Sequence, residues 1–108
     1  MTTQEKILNQ LQVLETLSKQ GAYSDKFVLA LRNLIIQEIN SIEEEIQEIE
    51  IDLQTFEEQY KLSSAQFDQQ FKSGELGDEI DFVEWSAFYQ MWCSLQERLN
   101  ILKSQVYC

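Results

Sequence analysis

The chain has 108 residues, with no proline, no histidine and only three glycines, and its formal net charge is −11. This length fits a single domain, and the scarcity of proline and glycine favours long helices over a sheet with many turns. The charge disfavours binding to nucleic acid or to an anionic membrane and favours a basic protein partner. It is equally typical of acidic proteins whose charge only keeps them in solution. Without histidine, the chain lacks the commonest general base and transition-metal ligand.

The sequence contains no targeting or membrane segment that we can identify. No apolar run approaches the ~20 residues that a membrane span needs, and residues 1–5 are too polar for a signal peptide. On one helix, Cys93 and Cys108 would lie about 22 Å apart, too far for a disulfide between them. We therefore expect free thiols and a cytoplasmic location.

The first predicted element is a short helix within residues 1–21. Thr2 and Glu5 have the spacing of a capping box, and Gly21 suits the position just after the last turn. A helix this short is marginal by itself, so we expect it to need a packing partner. Its apolar side chains recur at helical spacing and are Ile7, Leu8, Leu11, Leu14 and Leu17.

The chain is organised around the second predicted helix, over residues 25–61, which Ser24 or Asp25 would cap. Its apolar residues recur in steps of four and three, the spacing of one stripe along an α-helix. A helix of that length spans roughly 50 Å, which predicts an elongated molecule. The stripe consists of Ile35, Ile39, Ile42, Ile46, Ile49, Leu53, Phe56 and Tyr60.

Acidic residues flank this isoleucine stripe on both sides. Between Arg32 and Lys61 the sequence has nine acids and no base. Two copies of the segment packed side by side would repel each other, so the stripe should pack on a different, less acidic helix. We predict that the acids instead bind a basic partner. The predicted partner-binding residues are Glu43, Glu50 and Glu57 on one side, Glu38, Glu45 and Asp52 on the other, and Glu75, Asp78 and Asp81 beyond the helix.

A reversing turn that contains a short helix is predicted over residues 62–80. Ser63 and Gln66 have capping-box spacing, and Gly74 ends the short helix. Phe67 and Phe71 lie one helical turn apart and so share a face. This segment is long enough to bring the chain back along the second helix.

The last predicted helix covers residues 81–107, after a tight turn in which Gly77 is expected to adopt positive φ. Asp78 or Asp81 would cap it. Its apolar residues form a second heptad ridge rich in aromatic side chains, the natural antiparallel mate of the isoleucine stripe. This aromatic ridge consists of Trp85, Phe88, Trp92, Leu95, Leu99, Leu102 and Val106.

Together these elements predict an all-α fold. We expect an elongated antiparallel helical hairpin or coiled coil with short N-terminal and turn helices, forming one domain over residues 1–108. Two long helices cannot bury both ridges on all sides, so we expect a homodimer that completes a four-helix-type bundle. Packing roles around the turn are predicted for Phe67, Phe71, Gly74, Gly77, Phe82, Trp85 and Trp92.

The most distinctive sequence motif is F-x3-F-x2-GELGD-x2-DF-x-EW, from Phe67 to Trp85. Together with the acidic helix before it, this segment resembles small helical proteins of cyanobacteria and archaea that look like antitoxin partners encoded beside a small toxin. The resemblance covers roughly residues 40–100. It implies an antitoxin-type partner protein. We predict a non-catalytic module that neutralises a basic toxin by covering its cationic groove with the acidic face of residues 38–58.

A second resemblance leaves an enzyme as an alternative. Glu44-Glu45-x-x-Glu48, followed by Glu75-x-x-Asp78, is similar to the split acidic motif of MazG-type nucleotide pyrophosphohydrolases. That resemblance implies carboxylates that hold Mg²⁺ at a triphosphate. In the heptad register, however, the three acids of the first half point away from the isoleucine stripe. We therefore predict no catalytic residue, no metal site and no cofactor, with a homo-oligomeric coiled-coil scaffold as a further alternative.

Overall fold

The computed structural model describes residues 2–106, which form four α-helices and no β-strand. The helices are α1 (Thr3–Lys19), α2 (Asp25–Tyr60), α3 (Ser64–Lys72) and α4 (Ile80–Val106). The predicted all-α fold is confirmed. The chain divides into two compact units, Met1–Leu34 and Ile35–Cys108, which we call unit 1 and unit 2. The division falls inside α2.

Helix α1 begins and ends as its sequence predicts. The Glu5 backbone N–H donates to Thr2 Oγ1 at 3.2 Å, and the Thr2 N–H donates to Glu5 Oε2 at 3.3 Å, which completes the capping box. Gly21 follows with a φ of +75°, and the Ala22 N–H donates to the Leu17 carbonyl at 2.9 Å. This pattern satisfies the last free carbonyls of the helix. No residue of α1 is buried.

The first turns of α2 complete unit 1. The Phe27 backbone N–H donates to Ser24 Oγ at 3.2 Å, so Ser24 caps this helix. Ten large apolar side chains in unit 1 are exposed, with exposed fractions between 37 % and 59 %, whereas Leu14 and Phe27 are half-buried. The ten exposed side chains are Ile7, Leu8, Leu11, Val13, Leu17, Tyr23, Val28, Leu29, Leu31 and Leu34.

Unit 2 is an antiparallel hairpin in which the isoleucine stripe of α2 packs on the aromatic ridge of α4. Near the turn, the Phe56 ring stacks on Trp85 with centroids 5.6 Å apart. At the other end, Ile42 and Leu102 line the same groove. The predicted pairing of the two ridges is confirmed for the described side chains, which exclude Val106. The buried core comprises Ile39, Ile42, Ile46, Ile49, Leu53, Phe67, Trp85, Leu95 and Leu99.

The turn between α2 and α4 differs from its prediction at Gly77. Among the described glycines, positive φ occurs at Gly21 and Gly74 and not at Gly77, so that prediction is wrong. Gly74 has a φ of +82°, and the Glu75 N–H donates to the Gln70 carbonyl at 3.0 Å. The chain therefore leaves α3 in the left-handed conformation at Gly74 and does not need a second such residue at Gly77.

The end of α2 and the start of α4 also differ from expectation. Lys61 follows α2 with a φ of +53°, a conformation that glycine adopts more easily. Helix α4 begins at Ile80, and the Glu79 carbonyl accepts from the Val83 N–H at 3.0 Å. Glu79 thus occupies the capping position predicted for Asp78 or Asp81. Asp81 lies in the first turn, where its carboxylate has a different partner.

Candidate functional site

The predicted acids of α2 form two rows beside the buried stripe. The first row is Glu38, Glu45 and Asp52, and the second row is Glu43, Glu50 and Glu57, each spaced seven residues apart. Every member of the first row is exposed. In the second row Glu50 is exposed and the other two are half-buried. The rows are held in place because the stripe between them lies in the core of unit 2.

No ion pair to either row is found within residues 2–106. The ion pairs found within residues 2–106 are Lys19–Glu15 at 2.9 Å and Lys72–Asp68 at 3.1 Å, neither of them on α2. Arg98 lines a groove with the first row but forms no ion pair with it. Unpaired carboxylates on a fixed helix attract cations over about a Debye length, ~8 Å at physiological salt. The first row therefore presents three exposed carboxylates without an ion pair, with Arg98 as a nearby base.

Two of the predicted partner-binding acids hold the turn together. Glu57 Oε2 accepts from the Ser64 backbone N–H at 2.8 Å, at the start of α3. A carboxylate there satisfies a free N–H and interacts favourably with the helix dipole. Asp81 Oδ2 accepts from the Tyr60 hydroxyl at 2.5 Å and so links the end of α2 to α4. Glu57 and Asp81 thus have internal partners.

The Tyr60–Asp81 contact changes the acidity of the tyrosine. The hydrogen bond to Asp81, followed by burial and by the negative charges of Asp81 and Glu79, raises the pKa of Tyr60 from 10.0 to about 12. Ionisation of the phenol would place two negative groups in contact and remove the donated proton. The link is therefore intact at neutral pH.

The distinctive segment from Phe67 to Trp85 builds the aromatic centre of unit 2. The Phe67 and Trp85 side chains are fully buried, and their rings stack with centroids 3.9 Å apart at 7°. Trp85 Nε1 donates to Ser64 Oγ at 2.9 Å, so Ser64 connects the tryptophan to Glu57. These contacts attach α3 to both long helices. The surrounding rings belong to Phe56, Tyr60, Phe71 and Phe82.

A groove of about 440 Å³ opens beside the second row, lined by residues of α2, α3 and α4. Glu50 and Glu57 line it together with Tyr89 and Trp92, whose rings stack 5.9 Å apart. Trp92 Nε1 is buried and has no hydrogen-bond partner in the described part of the chain. Carboxylates beside aromatic faces suit a cationic side chain, which gains from both charge attraction and cation–π contact. Sequence reasoning assigned Trp92 to packing and did not identify this groove.

Cys93 lies one turn from Tyr89 on α4 and is a half-buried free thiol. Burial, followed by the hydrogen bond with Cys93, raises the pKa of Tyr89. The thiol is therefore a packing and hydrogen-bonding neighbour of the groove wall. Cys108, the other predicted free thiol, lies outside the described residues.

The acids of the alternative enzyme motif do not form a metal-binding group. Glu44, Glu45 and Glu48 are exposed on α2, and Glu75 and Asp78 are exposed in the segment before α4. Within residues 2–106, no three acidic or cysteine side chains are grouped so that they could hold a metal ion. The two halves of the motif thus remain separate in this structure.

Comparison of the chain with protein-family models, with curated proteins and with solved structures found no match. No helix in residues 2–106 is both long enough and apolar enough to cross a membrane. A function must therefore be inferred from the geometry of the site.

Proposed function

We propose that this protein is a non-catalytic, cytoplasmic interaction module that binds a basic protein, and that it acts as an antitoxin by covering the cationic surface of a toxin. The observation that supports this most directly is the first row of α2. Glu38, Glu45 and Asp52 are exposed, lie on one flank of a core-anchored helix and have no ion-pair partner. A toxin that acts on a phosphate-rich substrate presents a basic groove, and such a groove is complementary to this row.

The two rows would contribute differently to binding. The exposed first row accelerates encounter, because attraction between opposite charges raises the association rate. The groove beside the second row provides an anchor, since Glu50 and the Tyr89 and Trp92 rings can enclose one lysine or arginine side chain. Enclosure slows dissociation more than surface charge does.

The protein itself is proposed to be a homodimer. Ten large apolar side chains of unit 1 are exposed, and a second copy packed on them would remove them from water. A dimer would present two acidic rows to its basic partner. Two linked sites bind a partner with two basic patches more tightly than one.

The antitoxin function is tested in cells. The product of the adjacent gene is expressed with and without this protein, and growth is followed. Growth arrest that this protein relieves supports the proposal, and unchanged growth in both strains excludes the antitoxin function.

The charge argument is tested with the purified proteins. Binding of the adjacent gene product is measured for the triple variant Glu38→Gln, Glu45→Gln, Asp52→Asn and for a control, Glu15→Gln, Glu84→Gln, Glu97→Gln. Both variants lose three exposed acids, but only the first changes the first row. We expect the first triple to weaken binding by more than tenfold and the control by less than threefold, with binding lost by about 0.5 M salt because screening shortens the range of the charges. Equal effects of the two triples would contradict a role for the first row.

The absence of catalysis is part of the proposal and has its own test. The protein is incubated with Mg²⁺ and deoxynucleoside triphosphates, and released pyrophosphate is measured. We expect none above background. Activity that Glu45→Gln and Asp78→Asn abolish would replace the binding-module function with a pyrophosphohydrolase.

A further inference from the structure

We infer that two copies of this chain associate through unit 1, so that the apolar faces of α1 and of the first turns of α2 form the dimer interface. This inference rests on the homodimer proposed above and not on the basic partner. Its occupant is a second copy of the chain.

Helix α1 has the ends of a stable helix but lacks a core. Its N-terminus is closed by the capping box of Thr2 and Glu5, and its C-terminus by Gly21. None of its residues is buried, and Leu8 and Leu11 are each about half exposed. A single helix of this length is marginal in water and gains most of its stability from packing an apolar face. Its sequence thus suits a helix that is covered in the working protein.

Charge indicates which surface covers it. Residues 1–34 contain four bases and three acids, a net charge of +1. The whole chain has a net charge of −11, so residues 35–108 carry −12. Two copies of unit 2 would place acidic rows against each other, at a cost in repulsion. Two copies of unit 1 meet without that repulsion. A strongly basic partner is attracted to unit 2 and gains little from unit 1.

The size of unit 1 also fits a dimer interface. A stable interface of standard size uses about 20–30 residues on each side. The described part of unit 1, residues 2–34, has 33 residues and carries ten exposed large apolar side chains, so an interface of that size would use most of unit 1. Neither row of α2 belongs to unit 1, because all six acids lie after Leu34.

The experiment measures the molar mass of the full-length protein by light scattering after size exclusion, at a series of concentrations. We expect wild type at twice its monomer mass of 12.8 kDa. The variant Ile7→Gln with Leu11→Gln should weaken association at least a hundredfold. The control is Ile51→Gln with Ile101→Gln, which removes two somewhat more exposed apolar side chains from unit 2 and should change nothing.

A second variant separates loss of association from loss of helix α1. Leu31→Gln with Leu34→Gln changes exposed side chains on α2, whose helix continues into the core of unit 2. Circular dichroism should show little change, while the dimer is lost. A wild-type monomer at all concentrations would overturn the homodimer itself. If the dimer persists in both unit 1 variants, or if the unit 2 control disrupts it, the protein is still a homodimer. In either case the interface does not lie in unit 1.

Salt distinguishes this interface from the basic-partner surface. Association through apolar side chains should persist at about 0.5 M salt, whereas binding to a basic protein should not. Dissociation of the wild-type dimer by salt would overturn the inference, because it would mean that charges hold the copies together.

Discussion

Units 1 and 2 have similar fractions of apolar residues, but only unit 2 buries them. In unit 2, the isoleucine stripe meets the aromatic ridge of α4, and nine large side chains are buried together. In unit 1, the stripe of α1 has no buried member. Helical periodicity thus predicts a helix in both units. A core forms only in unit 2, where a second apolar ridge packs on the first.

The largest loss of stability is expected when the aromatic centre of unit 2 is removed. Trp85→Ala deletes a fully buried side chain that stacks on Phe67, and we expect a loss of about 3–5 kcal/mol in the free energy of unfolding. Leu11→Ala in unit 1 should change the same transition by less than about 0.5 kcal/mol at concentrations below self-association. Urea unfolding followed by far-ultraviolet circular dichroism measures both. Similar losses would mean that α1 is part of the same cooperative core.

A smaller effect is expected from the hydroxyl beneath that tryptophan. Ser64→Ala leaves the buried Trp85 Nε1–H without its acceptor, which should cost about 1–3 kcal/mol. The control Ser94→Ala changes an exposed serine on α4 and should stay within about 0.5 kcal/mol of wild type. In the double variant Ser64→Ala with Trp85→Phe, both polar groups are gone, so the combined loss should be less than the sum of the two. Additive losses would show that the hydrogen bond does not couple the residues.

The two glycines of the turn provide a matched pair. Gly74 has positive φ and Gly77 does not, and an added Cβ would meet nothing within 4 Å at either position. Gly74→Ala should therefore destabilise by about 1–2 kcal/mol through backbone conformation alone. Gly77→Ala should be neutral or stabilise by up to about 1 kcal/mol, because alanine restricts the unfolded chain. Thermal and urea unfolding of both variants would detect the difference, and equal destabilisation would contradict the conformation described for Gly77.

The smallest effect comes from Tyr60, and it should disappear in strong alkali. Its pKa of about 12 in the folded protein lies above the ordinary 10.0, so the folded state holds the phenol proton more tightly. The resulting stabilisation is complete below about pH 10 and is lost as the pH rises through about 12. Tyr60→Phe should remove this part of the pH dependence. Urea midpoints of wild type and variant between about pH 8 and 12 should converge in alkali; parallel curves would mean that the Asp81 contact does not perturb the tyrosine.

The helices of this protein were predictable because each carries its own signals. The capping residues Thr2, Ser24 and Ser63 all act as caps in the structure. These interactions span three residues, so a single sequence contains both partners. The pairing of the isoleucine stripe with the ridge of α4 was also predictable, since acids beside the stripe exclude a second copy of itself.

The contacts that link distant positions were not predictable. Ser64 and Trp85 are 21 positions apart, as are Tyr60 and Asp81, and no periodic pattern marks either pair. The same holds for the groove beside the second row, which exists only because three helices meet there. Gly77 was predicted wrongly because two glycines follow α3 closely and local sequence does not say which one reverses the chain.

By itself, then, the sequence determined the four helices, the caps of the first three, the stripe that is buried and the net negative charge. These depend on spacing and composition, which are properties of neighbouring residues. Only the tertiary structure decided that Glu57 and Asp81 hold the turn, that Glu38, Glu45 and Asp52 stay exposed without ion pairs, and that α1 has no core. Each of these features depends on which surfaces contact each other when distant segments pack. Such contacts cannot be predicted from the sequence of any one segment.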